Sequence, residues 1–438
     1  MARTFSGGVR IDGRKAGTSK QPITEIQAPE SLVVHLSQHT GAPARPAVKP
    51  GAEVQVGTVV GQADGELSVP VHSPVSGKVR WIGEFLHPGR GMSTAVAIDN
   101  DGEDRRIEAE EWKDLSDGSP DEIRNAIRNC GVVGLGGAAF PTHAKLEPRG
   151  KKIDVFILNG VECEPYLTGD DRLMLEHPAE IVEGLRIMMR VVGAERGLVA
   201  VGEDKPVAAA RLEEKTRGER ELGVVRLEAR YPLGSEKQLI KTVTGREVPR
   251  GGLPADVGCL VQNVGTSLAV LEAVKYGRPL VARVLTVGGS GARGAGNLRV
   301  RIGTYFKHVI AQLGGATENC RRVLAGGPMT GTAQHTTEVP VIKCTTGVIL
   351  LAAGEVFEGE RGPCIRCGRC VKGCPMRLMP NDLGRFVERG MTGRARSYGV
   401  LDCIECGVCA FVCPSKIPLV ELMRRGKAWF CEPGEQPE

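Results

Sequence analysis

Eight cysteines near the C-terminus repeat one spacing twice. The two runs are Cys364-x-x-Cys367-x-x-Cys370-x-x-x-Cys374-Pro375 and Cys403-x-x-Cys406-x-x-Cys409-x-x-x-Cys413-Pro414. Three closely spaced thiolates followed by a fourth before proline are typical of paired [4Fe-4S] clusters, in which the fourth cysteine of each run binds the other cluster. The ligands predicted for one cluster are Cys364, Cys367, Cys370 and Cys413, and those for the other are Cys403, Cys406, Cys409 and Cys374. The spacing therefore predicts single-electron transfer.

Structural zinc and disulfides are the alternatives for these cysteines. Zinc prefers four ligands arranged as two CxxC pairs, and two runs of three plus one fit that arrangement poorly. The other six cysteines are scattered, and we expect free thiols at Cys130, Cys163, Cys259, Cys320, Cys344 and Cys431. Because disulfide scaffolds belong to oxidising compartments, we predict a reducing compartment, namely the bacterial cytoplasm.

Length and charge narrow the class of protein. A chain of 438 residues predicts roughly three or four domains. Its 57 Lys and Arg against 52 Asp and Glu give a net charge of +5, which does not indicate nucleic-acid binding. The N-terminus, MARTFSGGVR, lacks the apolar region of a signal peptide. No apolar run is long enough to span a bilayer, so we expect a soluble or peripheral protein.

The first part of the chain is rich in turns. Residues 1–28 predict an arm with little core of its own, and residues 29–118 predict a domain of short strands, one of them at 67–69. The sequences VKPGAEVQVGTVVGQADG and VHSPVSGKV resemble a barrel-sandwich hybrid of the biotinyl/lipoyl type. Such domains carry a prosthetic group on a hairpin lysine. The corresponding stretch, 65–73, has no lysine, so we expect a structural module.

Residues 119–278 alternate helices with apolar strands, which predicts a mostly parallel sheet. Their first helix leads into the loop GLGGAAFPTHAKL, whose glycines can present bare N–H groups to a phosphate or a flavin ring. The loop is not a Rossmann fingerprint, because a helix precedes it where a strand should. A plain tight turn is the simpler alternative. His72 and His143 are isolated, and we expect structural roles for both.

Two smaller units complete the chain. Residues 279–354 predict a β-grasp-like unit, with strands at 281–287, 298–302, 322–324 and 348–351 and a helix at 305–313. Residues 355–438 hold the cysteine runs, separated by a short helix in NDLGRFVERG. The basic stretch at 424–427 is expected to be a solvated tail, with docking on a membrane partner or anionic lipid as the alternative.

Four segments carry a resemblance to a known family. GLGGAAFPTHAKL, NGVECEPYLTGDDR, YPLGSEKQL and VQNVGTSLAVLEAV follow in the order found in the flavin-bearing NADH-oxidising subunit of respiratory complex I. With the barrel-sandwich segment in front and the cysteine runs behind, residues 5–420 resemble the RnfC family of the Rnf electron transport complex. This implies a multidomain α/β fold: a barrel-sandwich hybrid, a flavin domain of complex I type, a soluble-ligand-binding β-grasp (SLBB) domain and a two-cluster ferredoxin domain.

The resemblance also implies cofactor-binding residues. Positions around FMN and its phosphate are Gly134, Gly136, Gly137 and Lys145, and other flavin-contact positions are Asn159, Glu162, Asn263 and Thr266. Positions where NAD(H) stacks or bonds are Phe140, Glu164 and Glu236, with Tyr231 near the ring. Hydride transfer requires no acid–base residue, so we expect no separate catalytic residue. Leu135 and Ser235 replace an arginine and a glutamate of the complex I protein, which affects NADH binding more than the flavin site.

The implied function is that of a peripheral subunit on the cytoplasmic face of a bacterial membrane. Its complex would exchange electrons between ferredoxin and NAD while pumping sodium ions or protons, and its partners would include integral membrane subunits and a ferredoxin-type subunit. One alternative is a cobalamin reductase of propanediol-utilising microcompartments, which shares the flavin and cluster modules but starts near the glycine loop. The other is a wiring subunit that holds clusters and no flavin.

Overall fold

The computed structural model describes residues 5–109 and 118–430, so the free thiol predicted at Cys431 lies outside the described residues. The N-terminal arm, expected to have little core of its own, packs on the domains that follow it. Phe5 is buried against the core of the parallel sheet, and strand β1 (Ile23–Glu25) pairs in parallel with residues 297–299 of the β-grasp sheet. The sequence did not predict these contacts, because both join residues far apart along the chain.

The barrel-sandwich region forms two small sheets around a shared core that includes Leu32, Val60 and Ile98. Sheet order is β2-β8-β7-β4 in one and β3-β5-β6 in the other. The strands are β2 (Ser31–His35), β3 (Arg45–Pro46), β4 (Glu53–Val54), β5 (Val59–Gln62), β6 (Val71–His72), β7 (Gly77–His87) and β8 (Gly91–Asn100).

The strand predicted at 67–69 is wrong. Backbone amides of this segment and its neighbours donate hydrogen bonds to side chains instead of to an adjacent strand. The Ser68 hydroxyl accepts from the Asp64 amide at 2.9 Å, and the Val69 amide donates to His39 Nε2 at 3.3 Å. The hairpin tip is fixed to the next domain, because the Gly65 carbonyl accepts from Arg128 Nη2 at 2.9 Å.

The α/β domain has four strands, all parallel, in the order β11-β10-β9-β12. Residues 155–158 are all buried, as expected for a parallel strand covered on both faces. The elements are α1 (Pro120–Asn129), α2 (Thr142–Lys145), β9 (Val155–Gly160), α3 (Gly169–Glu176), α4 (Pro178–Val192), β10 (Arg196–Gly202), α5 (Pro206–Lys215), β11 (Leu222–Leu227), α6 (Glu236–Thr244), β12 (Cys259–Asn263) and α7 (Val264–Tyr276). The parallel sheet predicted from the alternating pattern is therefore present.

The β-grasp region is a six-stranded sheet in the order β1-β14-β13-β17-β15-β16. Its core includes Leu285, Val300, Phe306 and Leu350. The elements that follow α7 are β13 (Ala282–Gly288), β14 (Gly296–Arg301), α8 (Phe306–Ala311), β15 (Cys320–Ala325), β16 (Thr332–Gln334) and β17 (Gly347–Ala352).

Up to residue 430, the C-terminal region contains five short helices: α9 (Arg369–Gly373), α10 (Pro380–Glu388), α11 (Thr392–Ser397), α12 (Val408–Phe411) and α13 (Leu419–Ala428). Helices α10 and α13 share a core of Leu383, Val387 and Leu422. The basic stretch at 424–427 belongs to α13, so the solvated-tail prediction is wrong: Lys427 is buried. Among the described helices, none combines the length and apolar character needed to cross a membrane.

Candidate functional site

The two cysteine runs have the same backbone conformation. Arg366 and Glu405, the second residues between the first two cysteines, both have positive φ, at 55° and 53°. The glycines that begin the short helices α9 and α12, Gly368 and Gly407, also match, at 72° and 81°. Each run thus folds its first three cysteines around one turn.

The second run and the last cysteine of the first run line one cavity. The cysteines of this buried cysteine site are Cys374, Cys403, Cys406 and Cys409. Burial raises the pKa of Cys403 to about 11 and that of Cys406 to about 12, and the charge of the nearby Cys374 sulfur adds to both rises. The sulfur of Cys374 therefore lies with the other run, as crossed cluster ligation requires.

The other four cysteines form a site that is open to solvent. Cys364 and Cys367 are exposed, whereas Cys370 and Cys413 are buried. Burial raises the pKa of Cys370, and Cys413 contributes to that rise. The Ser415 hydroxyl, two residues after Cys413, donates to the Pro363 carbonyl at 2.8 Å. The chain around Cys413 therefore lies beside the first run, as in the crossed arrangement. We call these four residues the exposed cysteine site.

Other parts of the chain contact the buried cysteine site. From the α/β domain, the Tyr231 hydroxyl donates to the Cys406 carbonyl at 2.7 Å. From the β-grasp domain, the Met329 carbonyl lies so close to Gly407 that an added Cβ would be 2.5 Å away. From α13, Lys427 Nζ donates to Glu405 at 2.8 Å. The exposed cysteine site has no comparable cover in the described part of the chain.

Among the described residues, no group of three or more His, Cys, Asp or Glu side chains could hold a single metal ion. A [4Fe-4S] cluster makes a different demand, because its four thiolates bind different iron atoms. The donor set fits such a cluster: four cysteines face one cavity, and the rest of its lining is largely apolar, as with Leu378, Val408 and Met423.

The glycine-rich loop connects α1 with α2 and is fixed at both ends. The Gly134 amide donates to the Phe140 carbonyl at 2.9 Å, and the Leu135 amide donates to the buried Thr266 hydroxyl at 2.9 Å. Thr266 therefore supports the loop from below. Between these points Gly136 and Gly137 are exposed, and their amides donate to no acceptor among the residues described.

The exposed part of the loop suits a ligand that accepts hydrogen bonds. Gly137 has φ +115°, and a Cβ there would have nothing within 4 Å. The open space and the bare amides fit the phosphate or ring of a flavin. Lys145 is in α2, directly after the loop, and Phe140 is half-buried at its end.

A buried polar network lies beside the loop, where β9 and β12 end. The Glu162 carboxylate accepts from the Asp170 amide at 2.8 Å, and Asn263 Nδ2 donates to Asp170 Oδ2 at 2.6 Å. Burial and the adjacent Glu162 raise the pKa of Asp170 to about 7. Asn159 is engaged locally, since its Nδ2 donates to the Gly234 carbonyl at 2.8 Å. A Cβ on Gly136 would lie 3.3 Å from Asn263 Cβ, so the network borders the loop.

The acidic residues expected at the dinucleotide have protein partners. Lys145 Nζ and Glu236 Oε1 form an ion pair at 2.5 Å, which places an expected phosphate ligand beside an expected dinucleotide ligand. The Glu164 carboxylate accepts from the Met329 amide at 3.0 Å and from the Thr330 hydroxyl at 2.5 Å. Its burial raises its pKa.

Sequence reasoning missed two charged residues at this site. Lys15 of the arm lies 3.8 Å from the Glu162 carboxylate. Arg283 of β13 is buried and donates to the Lys343 carbonyl at 2.6 Å and the Leu135 carbonyl at 3.5 Å. No local pattern marks either residue, because each reaches the site from another domain.

The two four-cysteine sites and the glycine-rich loop of the α/β domain together define a flavin and iron–sulfur electron-transfer protein. Residues 127–272 match the family described as the Nuo51 FMN-binding domain. Residues 3–103 match the RnfC barrel sandwich hybrid domain, and residues 363–417 match the 4Fe-4S dicluster domain. These matches confirm the predicted fold class and the predicted FMN and [4Fe-4S] cofactors.

Relatives of full length establish the family. The chain is 43% identical to the C subunit of the proton-translocating ferredoxin:NAD(+) oxidoreductase complex of Clostridium ljungdahlii, over 100% of this chain and 96% of that protein. It is 41% identical to the C subunit of the Na(+)-translocating ferredoxin:NAD(+) oxidoreductase complex of Acetobacterium woodii, over 97% and 96%. The chain belongs to the RnfC family of the ion-translocating Rnf complexes.

A solved structure shares the fold alone. The structure titled "Crystal structure of NAD+-reducing [NiFe]-hydrogenase in the H2-reduced state" aligns with a TM-score of 0.51 at 17% identity, over 72% of this chain and 61% of that one. The likeness therefore concerns the arrangement of elements.

Proposed function

We propose that this chain transfers electrons between NAD(H) and a partner protein within an ion-translocating ferredoxin:NAD+ oxidoreductase complex. It does so as a peripheral subunit on the cytoplasmic face of the membrane, next to integral membrane subunits and a ferredoxin-type subunit. The observation that carries the proposal is the contact between the Tyr231 hydroxyl and the Cys406 carbonyl, which joins the α/β domain to the buried cysteine site.

The residues that would hold FMN are those of the exposed loop. The free amides of Gly136 and Gly137 and the cationic Lys145 supply hydrogen bonds and positive charge to a phosphate. Gly134 shapes the loop, and Thr266 supports it. When bound, FMN exchanges a hydride for single electrons, which [4Fe-4S] clusters carry one at a time.

The polar network would position the flavin rather than react with it. Asn263 and Glu162 are held by Asp170 and by the amides of α3, and Asn159 is held by Gly234. Side chains fixed in this way keep their orientation when a ligand binds, which lowers the cost of ordering them.

Phe140 and Glu236 are the residues we assign first to the dinucleotide. Both lie beside the loop, and the Glu236 side chain is 36% exposed. A carboxylate at this place can accept hydrogen bonds from ribose hydroxyls. We assign Glu164 to the same ligand, with its carboxylate shared with the turn at 329–330. We assign Tyr231 a position near the bound ring. Its hydroxyl also holds the buried cysteine site against the α/β domain.

The two cysteine sites have different positions along the proposed route. The buried site contacts the α/β domain, where Gln238 Nε2 also donates to Met376 Sδ at 3.2 Å. The exposed site presents Cys364 and Cys367 to solvent. The buried site therefore serves the flavin domain and the exposed site serves the partner.

Cofactor content of the anaerobically purified protein tests this function. We expect about one FMN and about eight iron atoms per chain, the content of two [4Fe-4S] clusters. We also expect NADH to reduce ferricyanide through the isolated protein. Absence of FMN from the denatured protein would contradict the proposal and favour the flavin-free wiring subunit.

A matched lysine pair tests the assignment of the flavin phosphate. Lys145→Ala should lower FMN affinity by about ten- to a hundredfold, because a single charge-assisted contact contributes roughly 1.5–3 kcal/mol. Lys151→Ala is the control, since Lys151 pairs with Asp256 on the surface of the same domain. Equal FMN affinity in both variants would remove Lys145 from the site.

The dinucleotide residues require a separate measurement. Glu236→Ala should raise the NADH concentration needed for half-maximal ferricyanide reduction without loss of FMN. An unchanged NADH requirement would remove Glu236 from the site. Co-purification with integral membrane subunits tests membership of the complex.

A further inference from the structure

Positive charge is concentrated in the C-terminal region. Residues 361–430 contain 13 Lys and Arg against 5 Asp and Glu, an excess of eight positive charges, although the whole chain carries only +5. Several of these cations are neutralised within the region, such as Arg424 by Glu405 and Arg385 by Asp382. The others are available to bind a partner.

Four of the available cations lie close in sequence to cysteines of the exposed cysteine site. Arg366, Arg369, Lys372 and Lys416 each lie within three residues of one of its cysteines, and all four are exposed. None forms an ion pair with any acidic residue of the described chain. Lys416 instead lies over the ring of Phe357, 5.7 Å from its centroid.

The matching positions of the second run are not basic. Glu405 stands at the place of Arg366, Val408 at that of Arg369, and a phenylalanine at that of Lys372. Both runs have the same backbone and the same cysteines. The cations therefore belong to the open site in particular, and cluster binding alone does not explain them.

Exposed apolar side chains lie close in sequence to cysteines of the same site. Ile365, between the first two cysteines, is 65% exposed, and Phe411, two residues before Cys413, is 52% exposed. Exposed apolar groups ringed by charge mark surfaces that bind other proteins. We call the four cations with Ile365 and Phe411 the basic face.

We propose that the basic face docks an acidic electron-carrier protein directly over the exposed cysteine site. The proposal rests on the proposed electron-transfer function and adds the chemistry of the partner surface: carboxylates around a redox centre, with an apolar patch. A protein partner is favoured over an anionic membrane because Cys364 and Cys367 of the cluster motif are exposed beside these cations, where a redox centre has to approach. Charge complementarity of this kind steers association.

A binding measurement tests the docking without relying on turnover. The full-length holoprotein is titrated anaerobically with an acidic two-[4Fe-4S] ferredoxin as the probe. We expect affinity to fall steeply between about 50 and 300 mM salt, because exposed charge pairs are screened there. The double variant Arg366→Glu/Arg369→Glu should weaken binding at least tenfold at low salt.

The variants are chosen to keep the fold and the cluster. Glutamate at position 366 is compatible with the backbone, because Glu405 occupies the matching position with the same positive φ. Lys372→Glu/Lys416→Glu is a second double variant that spares the Arg366 loop. Arg217→Glu/Arg220→Glu makes the same charge change on exposed residues of the α/β domain and serves as the control.

Each result has a distinct meaning. Weaker binding in both test variants, with wild-type iron content and an unaffected control, supports the docking face. Unchanged binding in the test variants, or equal loss in the control, overturns it. Binding of the wild type to phosphatidylserine vesicles but not to the ferredoxin would assign the face to a membrane and also overturn it. Failure of NADH to reduce the holoprotein would contradict the proposed function while leaving the docking result intact.

Discussion

The two cysteine sites have the same backbone but different surroundings. The buried site is covered by Tyr231, by the Met329 turn and by α13, whereas the exposed site has Cys364 and Cys367 at the surface. The difference shows that side chains and neighbouring domains, rather than the cysteine spacing, decide which cluster faces inward. Cluster potential depends on hydrogen bonding and solvent exposure, so we expect the two clusters to differ in potential.

The largest difference in stability between the two sites is expected when the glycine that precedes each short helix is replaced by alanine. Gly407→Ala should destabilise the C-terminal region by about 3 kcal/mol, because a left-handed residue with a Cβ costs about 1–2 kcal/mol and the new atom would clash with the Met329 carbonyl. Gly368→Ala has open space around it and should cost only about 1–2 kcal/mol. Anaerobic thermal unfolding, followed by cluster absorbance, measures both. Equal losses would mean that the Met329 contact does not form.

A smaller difference in stability is expected between variants of two glutamates. Glu405→Gln removes the carboxylate that accepts from Arg424 and the buried Lys427, and should cost about 2 kcal/mol. Glu388→Gln removes only an exposed ion pair with Arg361, and should cost less than about 0.5 kcal/mol. Denaturant unfolding of the holoproteins measures the difference. A Glu405 variant as stable as the Glu388 variant would show that α13 is not held by this carboxylate.

The smallest contrast concerns two tyrosines. Tyr231→Phe removes the hydrogen bond to the Cys406 carbonyl and should cost about 1 kcal/mol, with slower reduction of the clusters by NADH. Tyr398→Phe, on an exposed residue of the same C-terminal region, should change neither property. If both variants retain wild-type rates and stability, Tyr231 does not join the two domains.

The sequence was sufficient for the regular parts of the fold. Alternating apolar segments predicted the parallel sheet, and the strand predicted at 348–351 lies within β17 (Gly347–Ala352). The arm was not predictable, because β1 depends on pairing with β14, more than 270 residues away. The basic stretch of α13 was misjudged for a similar reason: Glu405, its partner, lies in another element. The domain limits stay predictions.

The candidate site also has parts that the sequence predicted and parts that it did not. Spacing alone predicted the eight cysteines and their crossed ligation. Cys374 lines the cavity of the second run, and the ligand assignment itself stays a prediction. The twelve residues assigned from resemblance to FMN and NAD(H) stay predictions as ligand contacts. Spacing could not show that one cysteine site is covered and the other open. That property arises from contacts between domains, such as that of Met329 with Gly407.

The most direct test of the account is NADH reduction of proteins that each lack one cluster. Cys367→Ala removes a ligand of the exposed site, and Cys409→Ala removes a ligand of the buried site. Rapid anaerobic mixing, followed by electron paramagnetic resonance, reports the remaining cluster. We predict that the cluster in Cys367→Ala is reduced at the wild-type rate, whereas the cluster in Cys409→Ala is no longer reduced by NADH although dithionite still reduces it. Wild-type reduction of the remaining cluster in Cys409→Ala would contradict the account.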